Sequence, residues 1–230
     1  IMNLLFNETY IANSIDTAFM HWYRLLSKDC TGAKQVSRDG EVVGEIINAT
    51  TVLSDPTNNI MKNSLRNLPM KYAIGELLWY MSHNNKLKEI QKYTKGWDRM
   101  SDDGVTVNSN YGWCIRDKYG FDQWEWCKQE LNNNPNSRRA VIHIKEPSDK
   151  DSKDVNCTVC LQFFIRDEKL YCTTYMRSND IWLGYPYDVF QFTCMQILMS
   201  MELGIELGTY THIAGSLHLY GRNYVNIDNE

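Results

Sequence analysis

Two strand-like segments joined by a very short turn are the feature that most constrains the fold of this chain. Residues 158–166 and 170–176 are rich in apolar, β-branched and aromatic side chains, and only Asp167-Glu168-Lys169 separates them. So short a connection makes an antiparallel hairpin, because a parallel crossover needs a dozen or more residues. Since helical segments occur between other predicted strands, with crossovers as well as this hairpin, we expect an α+β fold.

The remaining elements are predicted from apolar spacing and from stop signals. A helix over 122–131 is stopped by an Asn-rich turn and Pro135, and a long apolar helix ends at Gly204. The predicted helices span residues 8–28, 71–82, 122–131 and 189–203. The other predicted strands span residues 41–53, 141–145 and 205–212.

Length, charge and cysteine usage limit the class of protein. A chain of 230 residues fits one domain spanning 1–230, and the net charge of −4 opposes nonspecific nucleic-acid binding. We find no apolar run long enough to span a membrane and no signal peptide. An odd number of cysteines, seven, does not fit a secreted disulfide framework, so we expect a cytoplasmic protein. Cys157-Thr158-Val159-Cys160 has no second cysteine pair to complete a zinc site, so we expect no metal.

Four motifs follow one another in the second half of the chain. Cys157 precedes Gln162-Phe163 by five residues and Arg177-Ser178 by twenty. In chain order the motifs are Asn136-Ser137-Arg138-Arg139, Cys157 with Gln162-Phe163, the run RSNDIWLGYPYD at 177–188, and GSLHLY at 215–220. Their order and spacing resemble the thymidylate synthase family and its nucleotide hydroxymethylase branch, from about Ile74 to about Tyr220.

The resemblance implies a fold, two substrates and an assembly. The fold would be a large twisted mixed β-sheet covered by helices, and the assembly a homodimer joined sheet to sheet with shared active sites. The substrates would be a pyrimidine nucleoside monophosphate and 5,10-methylenetetrahydrofolate, and the protein would bind neither a membrane nor a specific nucleic acid. If the origin is a phage, the compartment would be the host cytoplasm.

Cys157 is the residue that the resemblance assigns to covalent catalysis. A thiolate that adds to C6 of a pyrimidine makes C5 nucleophilic, and cationic neighbours such as Arg177 and the Arg138-Arg139 pair would lower the thiol pKa. Many synthases have Pro-Cys-His where this chain has Asn156-Cys157-Thr158. The alternatives are a buried structural thiol, or Cys160 as the nucleophile.

Arginine guanidinium groups match phosphate oxygens in pairs, and four residues are expected to bind the nucleotide phosphate. They are Arg138, Arg139, Arg177 and Ser178. The resemblance implies that Arg138 and Arg139 reach into the partner's site. The alternative is that this pair is a solvated strand start. Arg38 is a looser match to a phosphate-binding arginine on a mobile loop.

Asp188 bears on the choice of base. The uracil-using synthases have asparagine at this position, and deoxycytidylate hydroxymethylases have aspartate. A carboxylate accepts from the cytosine N4 amino group and favours protonation of N3, whereas it opposes the acceptor O4 of uracil. The alternative is that Asp188 caps a helix beginning near Val189.

The resemblance assigns further residues to the folate, the sugar and proton transfer. Glu76, in an otherwise apolar helix, would organise water and proton transfer near C5. A carboxylate there is costly unless it is hydrogen-bonded or functional. Trp97 and Tyr111 would line the folate pocket, although core packing is the alternative for Trp97, and Asp180 would hold the pterin ring. His218, Tyr220 and Gln162 are expected to bind the nucleoside. A structural role is the alternative for His218 and Tyr220.

The expected reaction is hydroxymethyl transfer from 5,10-methylenetetrahydrofolate to C5 of deoxycytidylate. Water would add to an exocyclic methylene, whereas the synthases reduce it to a methyl group behind a closing C-terminal tail. The sequence ends ten residues after Tyr220, so we expect water to reach the site. Three alternatives stay open: a C5 methyltransferase acting on deoxyuridylate or deoxycytidylate, a ribocytidylate hydroxymethylase, and an inactive nucleotide-binding member.

Overall fold

The structure is a computed structural model that describes residues 5–32, 36–37 and 40–225. Its strands are β1 (Leu5–Phe6), β2 (Thr9–Ala12), β3 (Val43–Leu53), β4 (Val141–His143), β5 (Thr158–Arg166), β6 (Lys169–Met176), β7 (Asn179–Asp180) and β8 (Glu206–Tyr220). Its α-helices are α1 (Ile15–Gly32), α2 (Met70–Met81), α3 (Leu87–Ile90), α4 (Tyr111–Arg116), α5 (Gln123–Asn133) and α6 (Tyr185–Leu203). Short 3₁₀ helices span Gly96–Met100, Pro147–Asp151 and Gly221–Asn223.

The eight strands form one mixed sheet with β8 at its centre. The order is β1-β3-β8-β6-β5-β4, with β2 also beside β3 and β7 also beside β8. Strand β8 is antiparallel to β3 but parallel to β6 and β7. A mixed sheet covered by helices confirms the predicted α+β class.

The predicted hairpin is present as β5 and β6. Arg166 pairs with Lys169, so only Asp167 and Glu168 form the turn. Their φ angles are 48° and 58°, and two central residues with positive φ make the turn whose twist matches that of the flanking strands. The hairpin places Cys157, just before β5, beside Arg177, just after β6.

Two element boundaries near the motifs differ from the prediction. Helix α6 begins at Tyr185 rather than Val189, because Pro186 is tolerated in a first helical turn, where its missing N–H is not needed. Strand β8 continues to Tyr220 rather than ending at His212. The buried residues of β8 change from even to odd numbers at Gly215, which breaks the alternation that a sequence pattern detects.

The first predicted helix also begins later than expected. Residues Thr9–Ala12 form β2, parallel to β3, and the helix starts at Ile15. The candidate Arg38 lies outside the described residues.

One hydrophobic core lies between the sheet and its helices. Helix α1 packs on β3 and β8, α6 on β6 and β8, and α5 on β4 and β5. On the opposite face of the sheet, Val52, Phe164 and Ile213 stay partly exposed and Tyr175 is 37% exposed. In the described ranges, no helix combines the length and the apolar character that crossing a membrane requires.

Candidate active site

Cys157 and Arg177 meet where the β5–β6 hairpin opens. The Arg177 N–H donates to the Cys157 carbonyl over 2.8 Å, and Arg177 Nη2 lies 3.6 Å from the Cys157 Sγ. The same guanidinium group also donates to the backbone carbonyls of Val155 (2.8 Å) and Asn156 (3.1 Å). Arg177 therefore holds the segment that leads into Cys157 while its exposed head group faces the thiol.

Burial outweighs the arginine in setting the state of Cys157. It raises the pKa of the thiol to about 11; Arg177 lowers the pKa, and Asp188 and Asp154 raise it further. The lowering effect expected of Arg177 is present, but burial is the larger effect. Within one chain the protonated thiol is therefore favoured, and Arg177 acts against it.

The Arg138-Arg139 pair is exposed at the surface just before β4. The Arg139 side chain is 76% exposed, with Nη1 3.9 Å from a Glu130 carboxylate oxygen. Arg138 is exposed, and its backbone carbonyl accepts a 2.8 Å hydrogen bond from Gln162 Nε2. Both side chains are thus exposed to solvent, and Gln162 holds the backbone beneath them.

Asp188 lies in the first turn of α6 and is not the helix cap. The N-cap position is occupied by Gly184, so the capping alternative is wrong. Asp188 Oδ2 instead accepts a 2.8 Å hydrogen bond from Asn179 Nδ2. Burial and the charge of Glu76 raise the pKa of Asp188 to about 8, against the lowering effect of Asn179 and Tyr111. Burial and Glu76 therefore favour the protonated form of Asp188, whereas the prediction from the sequence assumed a carboxylate.

Glu76 is a second buried carboxyl at the site. It lies on α2, is 5% exposed, and accepts hydrogen bonds from Tyr72 OH (2.6 Å) and Gln191 Nε2 (3.1 Å). Burial raises its pKa to about 7, and the bonds from Tyr72, Gln191 and Tyr80 lower it part of the way back. A carboxyl with a pKa near 7 can both take and give a proton at neutral pH.

Trp97 and Tyr111 are placed differently around this centre. Half-buried Trp97 donates from Nε1 to the Tyr72 hydroxyl over 3.0 Å, so one tyrosine links it to Glu76. Tyr111 is buried against Tyr80, and its hydroxyl accepts a 2.8 Å hydrogen bond from Thr158, the residue after Cys157. Trp97 thus lies on the Glu76 side, and Tyr111 lies between Asp188 and the thiol.

One carboxylate oxygen of Asp180 accepts hydrogen bonds, and the other has no hydrogen-bond partner among the described residues. Oδ1 accepts from the backbone N–H groups of Trp182 (2.8 Å) and Leu183 (3.1 Å). Oδ2 is buried and has no hydrogen-bond partner in the structure. A buried acceptor without a partner fits a ligand that brings its own N–H donors, as a pterin ring does.

His218, Tyr220 and Ser178 lie beside Asp180. His218 pairs with Asp180 across the β7–β8 ladder, and its ring packs edge-on against Tyr220 with centroids 5.2 Å apart. Ser178 is partly exposed in the short break between β6 and β7. Ser178 directly follows Arg177, and His218 lies opposite Asp180, so the β7–β8 ladder brings these motifs together.

Several residues of the site were not predicted from the sequence. Asn179 and His212 bond each other, and Asp154 adds a carboxyl near Arg177 and Cys157. Buried polar residues within β8 and α6 have no local signature, because their partners lie dozens of residues away. In the described part of the chain, no group of three or more His, Cys, Asp and Glu side chains is arranged to hold a metal ion.

The family follows from a comparison with known protein families. The family model described as thymidylate synthase matches residues 24–230, and this span contains every candidate residue above. The chain belongs to the thymidylate synthase family. Members are one-carbon transferases that bind a pyrimidine nucleoside monophosphate and a folate, and the resemblance stated from the sequence is confirmed.

Individual relatives are similar over most of their length. The deoxycytidylate 5-hydroxymethyltransferases of Enterobacteria phages T4, T2 and T6 are each 31% identical over 207 residues, covering 84% of this chain and 82% of the relative. Among solved structures, the thermostable thymidylate synthase A from Bacillus subtilis matches with a TM-score of 0.72 and 25% identity. That match covers 89% of this chain and 80% of the synthase, and it confirms the thymidylate synthase fold.

Proposed function

We propose that this member of the thymidylate synthase family is a deoxycytidylate 5-hydroxymethyltransferase that uses 5,10-methylenetetrahydrofolate. The observation that carries the proposal is the Asp188 carboxyl, which accepts from Asn179, has a pKa raised to about 8, and interacts electrostatically with the Cys157 thiol. The phage relatives with this activity support the same reading. We treat residues 1–230 as one catalytic domain.

The proposed role of Asp188 follows from the missing proton on cytosine N3. Cytosine N3 carries no proton, and it needs one as electrons move into the ring during addition of the thiol to C6. Asp188 holds a proton at neutral pH and can share it with N3, while the cytosine amino group donates to the carboxyl. Uracil already has an N3–H, so an amide serves it and an acid is not needed.

The other residues bind, orient or move protons. Cys157 adds to C6, Arg177, Ser178, Arg138 and Arg139 hold the phosphate, and Gln162, His218 and Tyr220 position the nucleoside. Methylenetetrahydrofolate supplies the one-carbon unit when bound, and Trp97, Tyr111 and Asp180 hold it. Glu76, with its pKa near 7, moves protons near C5 and orients the water that completes the hydroxymethyl group.

A homodimer with shared sites is part of the proposal. The sheet face opposite the helices presents the partly exposed side chains of Val52, Phe164, Ile213 and Tyr175, which a second copy would cover. Arg138 and Arg139 point into solvent, so they are available to a partner's phosphate. Each site would then use arginines from both chains.

Mass spectrometry of the products tests the function. The protein is incubated with methylenetetrahydrofolate and, separately, deoxycytidylate, cytidylate or deoxyuridylate, in ordinary and in oxygen-18 water. We expect deoxycytidylate to gain CH₂O whose oxygen comes from water. A gain of CH₂ supports a methyltransferase, preference for cytidylate a ribonucleotide enzyme, and binding without turnover an inactive member; each result rejects the proposal.

A further inference from the structure

A buried chain of hydrogen bonds runs from Asp188 into the centre of the sheet. Asn179 Nδ2 donates to Asp188 Oδ2 over 2.8 Å, and Asn179 Oδ1 lies 2.9 Å from His212 Nε2. His212 Nδ1 in turn lies 2.9 Å from the Tyr210 hydroxyl. Asn179 is 3% exposed, His212 1% and Tyr210 0%, so water does not compete for these bonds.

The chemistry of the four groups determines which atom donates in each hydrogen bond. Burial lowers the pKa of His212 to about 3, so its ring is neutral and carries a single N–H. Because the Asn179 carbonyl oxygen can only accept, that N–H is on Nε2, and Nδ1 accepts from the Tyr210 hydroxyl. The Asn179 amide is thereby held with its NH₂ group toward Asp188.

A protonated carboxyl group without a fixed hydrogen-bond donor on one oxygen can pair with either cytosine or uracil. A protonated carboxyl has one donor and one acceptor oxygen, and the proton can sit on either. In one form it complements N3 and the amino group of cytosine, and in the other it complements N3–H and O4 of uracil. Asp188 alone therefore does not discriminate between them.

We infer that Asn179, His212 and Tyr210 form a positioning relay that sets base specificity by keeping a donor fixed on Asp188 Oδ2. With Oδ2 held as an acceptor, the proton of Asp188 is left for the ligand and does not move between the two oxygens. The inference rests on the proposed function for the identity of the preferred base. The relay itself rests only on the contacts of the chain.

Substitution of Asn179 by leucine tests the relay, because leucine has a similar volume and cannot donate. We expect the ratio of kcat/KM for deoxycytidylate to that for deoxyuridylate to fall by roughly 10- to 100-fold, since one buried donor is lost. Thr51→Val is the matched control: Thr51 is buried, pairs with His212 across β3–β8, and bonds Trp22 and Tyr185 instead of the relay. Its ratio should stay within about 3-fold of the unsubstituted protein.

A second measurement determines the tautomer of His212 in the unsubstituted protein. Nitrogen-15 NMR of the unsubstituted protein, with the His212 signals assigned by their loss in His212→Gln, should show the Nε2–H tautomer throughout the neutral pH range. The Nδ1–H tautomer would mean a reversed Asn179 amide and would overturn the relay. If Asn179→Leu does not fold, Tyr210→Phe removes one hydroxyl and should lower the same ratio.

The outcomes separate the two proposals. If the unsubstituted protein prefers deoxycytidylate and the folded Asn179→Leu protein keeps the full ratio, the relay is wrong and the proposed function stands. If the unsubstituted protein prefers deoxyuridylate, the proposed function is wrong. In that case a deoxycytidylate-to-deoxyuridylate ratio that still falls in Asn179→Leu, with Thr51→Val unchanged, supports the relay.

Discussion

Replacing Asp188 by asparagine should make the folded protein more stable while removing its activity on deoxycytidylate. Burial and the charge of Glu76 raise the pKa of Asp188 from 3.8 to about 8. At pH 7 the carboxyl is ionised in the unfolded chain and protonated in the folded one, so folding must take up a proton. An asparagine has the same shape, needs no proton and can still accept from Asn179.

The expected gain in the free energy of unfolding follows from the difference between the pH of the experiment and the ordinary pKa of an aspartate. Near pH 7 that distance is about three units, and about 1.4 kcal/mol per unit gives an upper value of about 4 kcal/mol. Asp188 keeps part of its surface exposed, so we expect about 2–4 kcal/mol in the free energy of unfolding. For a chain of this size that raises Tm by roughly 5–12 °C.

The sign of the pH dependence is part of the prediction. Below the ordinary pKa of 3.8 both states are protonated and Asp188 has no unfavourable effect. Stability is lost as the pH rises, and the loss is complete once the pH exceeds about 8, the pKa in the folded state. The advantage of Asp188→Asn should therefore be absent near pH 4 and full near pH 8.

Denaturant titration at a series of pH values, at one protein concentration and without ligands, measures this advantage. Asp151→Asn is the control, because its carboxyl is 80% exposed and should give no comparable gain. The same Asp188→Asn protein should lose kcat for deoxycytidylate by roughly 10²-fold or more, with a smaller change in KM, because the amide can donate a hydrogen bond to N3 but cannot transfer a proton to it. A gain that does not vary with pH, or no gain, would refute a protonated Asp188.

Three further predictions concern the remaining parts of the site. Cys157→Ser should abolish turnover and retain nucleotide binding measured by calorimetry, whereas Cys160→Ser should stay active; the reverse pattern would exchange their roles. Mixing Arg139→Ala chains with Cys157→Ser chains should restore part of the activity, since a hybrid dimer has one intact site; no recovery despite subunit exchange shown by native mass spectrometry would contradict shared sites. Tyr72→Phe removes a hydrogen bond that lowers the pKa of Glu76. The pKa that Glu76 contributes to the kcat–pH profile should therefore rise by about half a unit or more. An unchanged profile would exclude Glu76 as the source of that pKa.

Local patterns predicted the elements of the fold better than their ends. The β5–β6 hairpin was predictable because its turn and its flanking strands all lie in one stretch of sequence. The end of β8 was not, because the buried set changes phase at Gly215, and a Cβ there would lie 3.0 Å from the Arg177 carbonyl oxygen. That close approach depends on a residue 38 positions earlier in the chain, which no local pattern records.

The motifs located the chemical groups of the site but not their protonation states. Spacing placed Cys157 and Arg177 together, and the structure puts Nη2 3.6 Å from Sγ. Spacing did not predict that burial would raise the pKa of the Cys157 thiol, since burial is a property of the whole fold. The Asn179–His212 contact could not be predicted from a local pattern either, because it joins two residues 33 positions apart.

The central position of β8 has a consequence for synthesis of the chain on the ribosome. Strand β3 ends at Leu53, and its neighbour β8 begins only at Glu206. The edges of β3 and β6 that pair with β8 therefore stay unpaired until β8 has been synthesised. Unpaired edges of long strands attract other chains. We therefore expect fragments that stop before Glu206 to aggregate rather than bind nucleotide, and the nascent protein to depend on whatever shields β3 and β6 until β8 emerges.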